Sequence, residues 1–296
     1  MDSNDLSAAN LFNVNGMVAV VTGGGTGIGL MIAKALTANG ASKVYIIGRR
    51  LEVLEAAAKS TNPDVIIPLQ GDITSLDALL AMAARVEKES GFVNLVVANA
   101  GIMGPRPLKP AEGQPPPSLA EYRAHALRTP MEEFTNTYAV NTAGVYYTVL
   151  AFLGLLDAAN AKQNLGADYR SQVIVVGSIG GFSRLKGASF AYNTSKAAVT
   201  HLMKMMATSL VPYKIRCNVL APGVFPSDLS GSFINTLGGP SGPGSFDPSF
   251  IPHGRAGQVG DIAGAVLFLA SRAGAYTNGS VVVVDGGRLG TLVSTY

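Results

Sequence analysis

Val18-Ala19-Val20-Val21 followed by Thr22-Gly23-Gly24-Gly25-Thr26-Gly27-Ile28-Gly29 is the stretch that decides the fold. Four apolar residues predict a short buried strand, and the pattern after Gly27 predicts a helix over 27–39. Glycines between a strand and a helix permit a tight turn, so backbone amides can approach a pyrophosphate at the positive helix end. The stretch therefore predicts a dinucleotide site. A plain connection between strand and helix is the alternative.

The same alternation continues along the chain. Apolar, β-branched runs predict seven strands, over 18–21, 44–47, 65–69, 95–98, 173–176, 216–220 and 281–284. Helical patterns lie between them, over 27–39, 51–60, 75–90, 131–160, 188–211 and 259–271. Buried strands that alternate with helices predict a parallel sheet covered on both faces, with the ligand crevice at the carboxyl ends of the strands. We expect a single α/β domain over residues 1–296.

Composition argues against several other classes of protein. The 296 residues carry a net charge of +3 without a dense Lys/Arg run, which gives no reason to expect nucleic acid. The single cysteine, Cys217, cannot form an internal disulfide, and the first residues show no signal-peptide pattern, so we expect a cytoplasmic protein. The most apolar stretch, 139–156, predicts a long buried helix rather than a membrane span. His125, His201 and His253 lack clustered ligands, so no metal site is expected.

Three segments interrupt the rhythm of strands and helices. The segment 101–130 is proline-rich and contains Pro115-Pro116-Pro117, so it predicts an irregular excursion near the crevice. The polar segment 161–171 predicts a surface insertion, and the Gly/Pro/Ser-rich segment 222–257 is long enough to be a lid over a substrate. Surface loops without function are the alternative for all three.

The end of the second strand indicates which dinucleotide is bound. Folds that bind NAD usually place an acid here to hold the ribose 2′-hydroxyl, but this position is Gly48, and Arg49 follows it. A 2′-phosphate would gain a charge-assisted partner from Arg49, so the sequence favours NADP(H) over NAD(H). Both Arg49 and Arg50 also fit a solvated helix start.

Tyr192 and Lys196 lie four residues apart in the helix predicted over 188–211, and one helical turn brings them to the same face. A nearby ammonium stabilises a phenolate and lowers the pKa of the tyrosine, which could then transfer protons at neutral pH. Such pairs also arise by chance on helices, so their meaning depends on the other motifs of the chain.

Taken together, the motifs resemble the short-chain dehydrogenase/reductase family, in its single-domain form, with a fungal-type reductase as the nearest sub-type. The resemblance covers about residues 16–287 and implies a doubly wound Rossmann fold with strand order 3-2-1-4-5-6-7. Its motifs are the glycine turn, Gly71-Asp72-Ile73, Asn99-Ala100-Gly101, Asn141, Ser178, Tyr192 with Lys196, Pro222-Gly223 and Val284-Asp285-Gly286-Gly287. Ala98 departs from the family, in which asparagine is frequent at this position.

The resemblance also implies roles for these residues. Ser178 would polarise a substrate carbonyl and Tyr192 would exchange a proton with its oxygen. Lys196 would lower the Tyr192 pKa and hold the nicotinamide ribose, while Asn141 would position a water. Asp72 and Ile73 would meet the adenine, with a helix-capping role as the alternative for Asp72. The implied cofactor contacts are Gly23, Thr26, Gly27, Ile28, Gly29, Arg49, Asp72, Ile73, Asn99, Ala100, Gly101, Tyr192, Lys196, Pro222, Gly223, Val224 and Ser227.

The leading functional hypothesis is an NADP(H)-dependent carbonyl reductase or alcohol dehydrogenase that acts on a small molecule. A catalytically inactive dinucleotide-binding sensor or scaffold is the main alternative, because a fold can outlive its chemistry. An epimerase or dehydratase with tightly held NAD is a third, although its relatives space the turn glycines differently. By resemblance we also expect a homotetramer or homodimer.

Overall fold

A seven-stranded sheet forms the centre of the molecule. The computed structural model describes residues 6–108, 113, 115–185, 188–227 and 245–296. All neighbouring strands pair in parallel, in the order β3-β2-β1-β4-β5-β6-β7. The strands are β1 Val18–Thr22, β2 Lys43–Gly48, β3 Ile66–Gln70, β4 Leu95–Ala98, β5 Gln172–Val176, β6 Arg216–Pro222 and β7 Val281–Val284. The predicted doubly wound fold and its strand order are confirmed.

Helices cover both faces of this sheet. They are α1 Ala8–Leu11, α2 Gly27–Ala38, α3 Leu51–Thr61, α4 Leu76–Ser90, α5 Leu119–Ala126, α6 Met131–Tyr138, α7 Gly144–Lys162, α8 Phe190–Ser209 and α9 Val259–Ala270. Alternate strand residues point to opposite faces, so Val18 and Val20 pack in one apolar core with α4, α7 and α8. Ala19 and Val21 pack in the other core with α2, α3 and α9. One sheet unites the described strands, as a single domain requires.

The helix predicted over 131–160 is interrupted by a π turn. Residues Ala139–Ala143 form this turn between α6 and α7, and the Gly144 amide donates to the Ala139 carbonyl five residues earlier. By length and hydropathy the stretch Met131–Lys162 could cross a membrane, but 44% of its most apolar window is buried inside the protein. One such helix is weak evidence for a membrane segment, because a helix that packs in a protein core has the same composition.

The interrupting segments contain more structure than their compositions indicate. Helix α5 lies within 101–130, and a capping box starts it, because Ser118 and Glu121 each bond the other's backbone amide. The segment 161–171 does not lie entirely on the surface, since Tyr169 is buried. The Asn164 side chain also bonds the buried Asn94 at 2.9 Å. The lid over 222–257 stays a prediction, because residues 228–244 lie outside the described residues.

Candidate active site

A cleft of about 960 Å³ opens at the carboxyl ends of the strands. This volume lies at the upper end of the range for small-molecule sites, so the cleft has room for a dinucleotide together with a substrate. Its wall includes three of the four proposed catalytic residues, Ser178, Tyr192 and Lys196, together with most of the predicted cofactor contacts. Asn141 does not line the cleft. Gly29 is also absent from the wall, because it lies behind the glycine turn.

The glycine turn is shaped to let a ligand approach the backbone. Gly23 and Gly27 have positive φ angles of 65° and 52°, which favour glycine. A Cβ on Gly29 would overlap the Gly23 carbonyl oxygen, so this glycine lets α2 pack tightly behind β1. The first turn of α2 contains no acidic residue that would compete for an anion. The backbone and charge of the turn are therefore compatible with the pyrophosphate that the sequence predicts there.

Two short hydrogen-bond networks hold the turn against the centre of the sheet. The Asn99 side chain donates to the carbonyls of Thr22 and Gly23, at 2.9 and 3.1 Å. In return, the buried Thr22 hydroxyl accepts the amides of Asn99 and Ala100, at 3.0 and 3.1 Å. Asn99 thus connects the glycine turn to the sheet centre, and Thr22 is a partner whose role the sequence reasoning missed.

The end of the cleft beside β2 and β3 carries the features expected for adenosine binding. Arg49 follows β2 on the exposed rim, and a Cβ on Gly48 would lie 3.3 Å from the Leu54 side chain. Asp72 accepts the Thr74 amide at 2.9 Å and the Thr74 hydroxyl at 2.7 Å. The hydrogen bond from the Thr74 amide is the largest influence that lowers the Asp72 pKa, and the charge of Arg49 lowers it further. Helix α4 is capped by Ser75, so Asp72 is not its cap.

The loop after β6 closes the cleft from the opposite side. The Gly223 amide donates to the Val284 carbonyl at 2.9 Å, and a Cβ on Gly223 would lie 2.7 Å from the Cβ of Asp285. Ser227 lies against the glycine turn, since a Cβ added to Gly27 would be 2.9 Å from the Cβ of Ser227. Pro222, Gly223, Val224 and Ser227 all line the cleft. These four predicted cofactor contacts therefore lie on one part of the cleft wall, and their contact with a cofactor stays a prediction.

Ser178 and Tyr192 meet beside the 3₁₀ turn Ile179–Gly181. A Cβ on Gly180 would lie 3.1 Å from the Ser178 hydroxyl oxygen and 3.2 Å from the Tyr192 ring. The N-cap Ser189 begins α8, accepts the Tyr192 amide at 3.2 Å, and donates to the Pro105 carbonyl at 2.6 Å. Ser189 thereby attaches the catalytic helix to the loop after β4. Its position before a helical run is an N-cap signal that the sequence reasoning missed.

Lys196 is buried next to this pair without an acidic partner among the described residues. Its Nζ donates to the Val176 carbonyl at 2.8 Å and lies 5.8 Å from the centre of the Tyr192 ring. Burial lowers the pKa of Lys196 to about 8. Burial also raises the pKa of Tyr192, and the Ser178 hydroxyl opposes only part of that rise. The net shift of the Tyr192 pKa is therefore upward, opposite to the lowering expected from Lys196, because desolvation of the phenol dominates.

Asn141 lies in the π turn, directly behind Lys196. Its side chain accepts the Ile102 amide at 2.8 Å and donates to the Ile102 carbonyl at 2.9 Å and the Ser195 hydroxyl at 3.0 Å. A Cβ on Gly101 would contact both Asn141 Oδ1 and Lys196 Nζ, at 3.1 and 3.5 Å. Both Nδ2 protons and one lone pair of Oδ1 are thus used within the protein, and the water expected at Asn141 stays a prediction.

The carboxyl-terminal strap, residues 288–296, forms the remaining wall. The Arg184 amide donates to the Val293 carbonyl at 2.7 Å, and the Thr295 amide donates to the Phe182 carbonyl at 2.9 Å. Arg288 and Leu292 line the cleft, as does Arg106 from the loop after β4. Sequence reasoning missed these residues, because nothing in the local sequence indicates that the chain terminus folds back on the Ser178 loop.

The other candidate chemistry is not supported. Among the described residues, no three His, Cys, Asp or Glu side chains are grouped so that they could hold a metal ion. Burial raises the pKa of the Cys217 thiol to about 12, so this cysteine is a core residue rather than a nucleophile. Phe225 is buried and lines the cleft, while Phe246 stacks on Phe250 in a separate small cluster.

Comparison with known proteins gives consistent matches over nearly the whole chain. A sequence model of the family described as Enoyl-(Acyl carrier protein) reductase matches residues 23–288. The Short-chain dehydrogenase/reductase PhomF of Diaporthe leptostromiformis is 48% identical over 292 residues, which are 98% of this chain and 97% of that protein. The Short-chain dehydrogenase/reductase VdtF of Byssochlamys spectabilis is 42% identical and covers 100% of both chains. The Pseudomonas aeruginosa RhlG/NADP complex superposes with a TM-score of 0.75 at 30% identity, over 94% of this chain and 98% of that one.

Proposed function

The chain belongs to the short-chain dehydrogenase/reductase family, and we propose that it transfers hydride between NADP(H) and a small-molecule carbonyl or secondary alcohol, acting as a ketone reductase. One observation carries this proposal. Ser178 and Tyr192 meet over a single glycine, next to buried Lys196, in a cleft that also contains the glycine turn. That arrangement combines a proton donor with a site for a hydride carrier.

NADP(H) fits the residues that form the other end of the cleft. The positive-φ glycines and the acid-free start of α2 accept a pyrophosphate, and Arg49 supplies a cation where an acid would favour NAD. The similar RhlG structure is a complex with NADP, which supports the same choice. When bound, this cofactor supplies the hydride. Lys196 would hold its nicotinamide ribose.

The chain's own residues handle the proton. The Ser178 hydroxyl orients and polarises the carbonyl oxygen, and Tyr192 donates its phenolic proton to that oxygen. Burial raises the Tyr192 pKa, so the phenol is protonated at neutral pH, as the reductive direction requires. Lys196 places a positive charge behind the phenol and stabilises the phenolate that remains after transfer.

Replacement of Tyr192 with phenylalanine tests the assignment. Because Tyr192→Phe removes only the hydroxyl, we expect kcat for NADPH-dependent ketone reduction to fall by about 10²- to 10⁴-fold. NADPH affinity, measured by the change in cofactor fluorescence, should change little. Retained turnover would contradict the proton-donor role. Wild-type protein that binds NADPH but reduces no ketone in a broad panel would instead favour the sensor or scaffold alternative.

We also propose that the protein assembles as a homodimer or homotetramer. Tyr146, Tyr147 and Leu150 on α7 and Met205 on α8 are exposed apolar side chains, and β7 is an edge strand of the described sheet. Such surface is commonly covered by a second copy. Light scattering tests this, and a monomer at micromolar concentration would contradict it. A location in the cytoplasm stays a prediction from the sequence.

A further inference from the structure

Arg288 is a buried cation on the wall of the cleft. It begins the short 3₁₀ helix Arg288–Thr291 after β7, and only 6% of its surface is exposed. Nη1 donates to the Phe250 carbonyl at 2.6 Å, and the guanidinium carbon lies 3.5 Å from the centre of the Phe250 ring. The guanidinium is thus held against an aromatic ring and bonded through one nitrogen, which restricts its orientation before any ligand arrives.

No carboxylate of the described residues neutralises this cation by a direct ion pair within 4 Å. The nearest acid by sequence, Asp285, is already occupied, because its two oxygens accept the amides of Gly287 and Leu289 at 2.9 and 2.6 Å. Asp285 acts on the Arg288 guanidinium only without direct contact, and its charge raises the Arg288 pKa against the lowering by burial. A buried charge without a direct ion pair is costly. A ligand with a negative charge would offset that cost.

The charged residues along the cleft are distributed unevenly. Asp72 is the one acidic residue among the described residues of the cleft wall, and it lies next to Arg49 at the adenosine end. The rest of the wall, which includes Ser178 and Tyr192, contains Arg106, Lys196 and Arg288. The chain continues from Arg288 to the loop after Ser178, where Arg184 bonds Val293. The charged side chains of the wall outside the adenosine end are therefore all basic.

We propose that Arg288 binds a carboxylate of the substrate, so that the enzyme selects keto acids over neutral ketones. The guanidinium fork donates to the carboxylate while the carbonyl of the same molecule faces Ser178 and Tyr192. This inference rests on the proposed ketone reduction and specifies its substrate class. Arg288 is a substrate-binding residue in this scheme, and it takes no part in proton transfer.

A matched pair of aryl ketones tests the inference. 4-Acetylbenzoate and 4-acetylbenzamide differ in charge but little in shape, and we expect wild-type protein to prefer the acid in kcat/KM. Arg288→Gln should raise KM for the acid by about 10- to 100-fold, because a charge-assisted bond is lost, and leave the amide within about 3-fold. Arg288→Lys should retain part of the preference. Arg85→Gln, with the same charge change on the exposed face of α4, should retain all of it.

A binding measurement separates this inference from the proposed function. NADP-loaded protein is titrated calorimetrically with benzoate and with benzamide, neither of which can be reduced. Benzoate should bind more tightly, and Arg288→Gln should remove the difference while its melting temperature stays close to that of Arg288→Lys. If both ketones are inert but benzoate binding depends on Arg288, only the reduction proposal fails. Equal binding of benzoate and benzamide, or equal losses for acid and amide substrates, overturns the Arg288 site.

Discussion

The two ends of the cleft are constructed in different ways. The cofactor end is formed where consecutive strands stop, and its key contacts join neighbours such as Thr22, Gly23 and Asn99 at the sheet centre. The substrate end is assembled from the loop after β4, the start of α8 and the carboxyl-terminal strap, through contacts such as Arg184 to Val293. A parallel sheet brings strand ends together in any sequence that forms it, whereas the substrate end depends on contacts between a loop, a helix start and the strap that the sheet does not dictate.

The largest expected effect comes from adding a methyl group to the glycine turn at the cofactor end. Gly29→Ala places a Cβ against the Gly23 carbonyl, so we expect NADPH affinity to fall at least about 100-fold as the turn is displaced. Gly264→Ala on α9 is the matched control, because nothing lies within 4 Å of the added methyl group. There the same change should stabilise the helix by about 0.5–1 kcal/mol. Cofactor fluorescence and thermal unfolding check both, and unchanged NADPH binding by Gly29→Ala would refute the close-packing role.

Charge at the cofactor end should determine which dinucleotide is used. Arg49→Ala should weaken NADPH by about 10- to 100-fold, through loss of a charge-assisted contact to the 2′-phosphate, and leave NADH nearly unchanged. The dissociation constants of both cofactors are the measurement. Equal weakening of the two would mean that Arg49 acts on the fold of the rim rather than on the phosphate.

The catalytic centre between the two ends should respond to pH through Lys196. Its pKa is lowered to about 8 and that of Tyr192 is raised, so on raising the pH Lys196 loses its proton first. Reduction needs both groups protonated, so kcat/KM should be level below pH 8 and fall above it, by about tenfold per pH unit. Lys196→Arg stays charged and should lose this decline, although its maximal rate is lower. A wild-type rate that is constant up to pH 10 contradicts this role.

Truncation of the carboxyl-terminal strap should give the smallest effect. It should alter the substrate end and leave the cofactor end nearly unchanged. A chain that stops at Leu292 loses the bond from Arg184 to Val293, the bond from Thr295 to Phe182, and the Tyr296 ring on Phe182. We expect KM for the ketone to rise by about 3- to 10-fold, since each such bond contributes modestly. The dissociation constant of NADPH should stay within about 2-fold. An equal rise in both constants would show that the strap supports the whole fold.

Local sequence predicted the glycine turn, and the family resemblance implied Asn99 and the loop at Pro222. The structure brings all three to one cleft. The predictions were less complete where distant parts meet. The Tyr192 pKa rises because the fold partly desolvates the phenol, an effect that the spacing of Tyr192 and Lys196 does not reveal. The position of Arg288 could not be predicted, because a single arginine after two glycines has the same local sequence as an ordinary exposed residue.

Hydrophobic periodicity and glycine placement by themselves determined the parallel sheet, the glycine turn and the helix that carries Tyr192 and Lys196, because these depend on backbone sterics and on interactions between near neighbours. Tertiary structure alone decided the burial of Lys196, the engagement of the Asn141 side chain by Ile102 and the approach of Arg288 to the cleft. Burial and long-range contact are properties of the packed molecule. Their electrostatic consequences therefore exist only once the chain has folded.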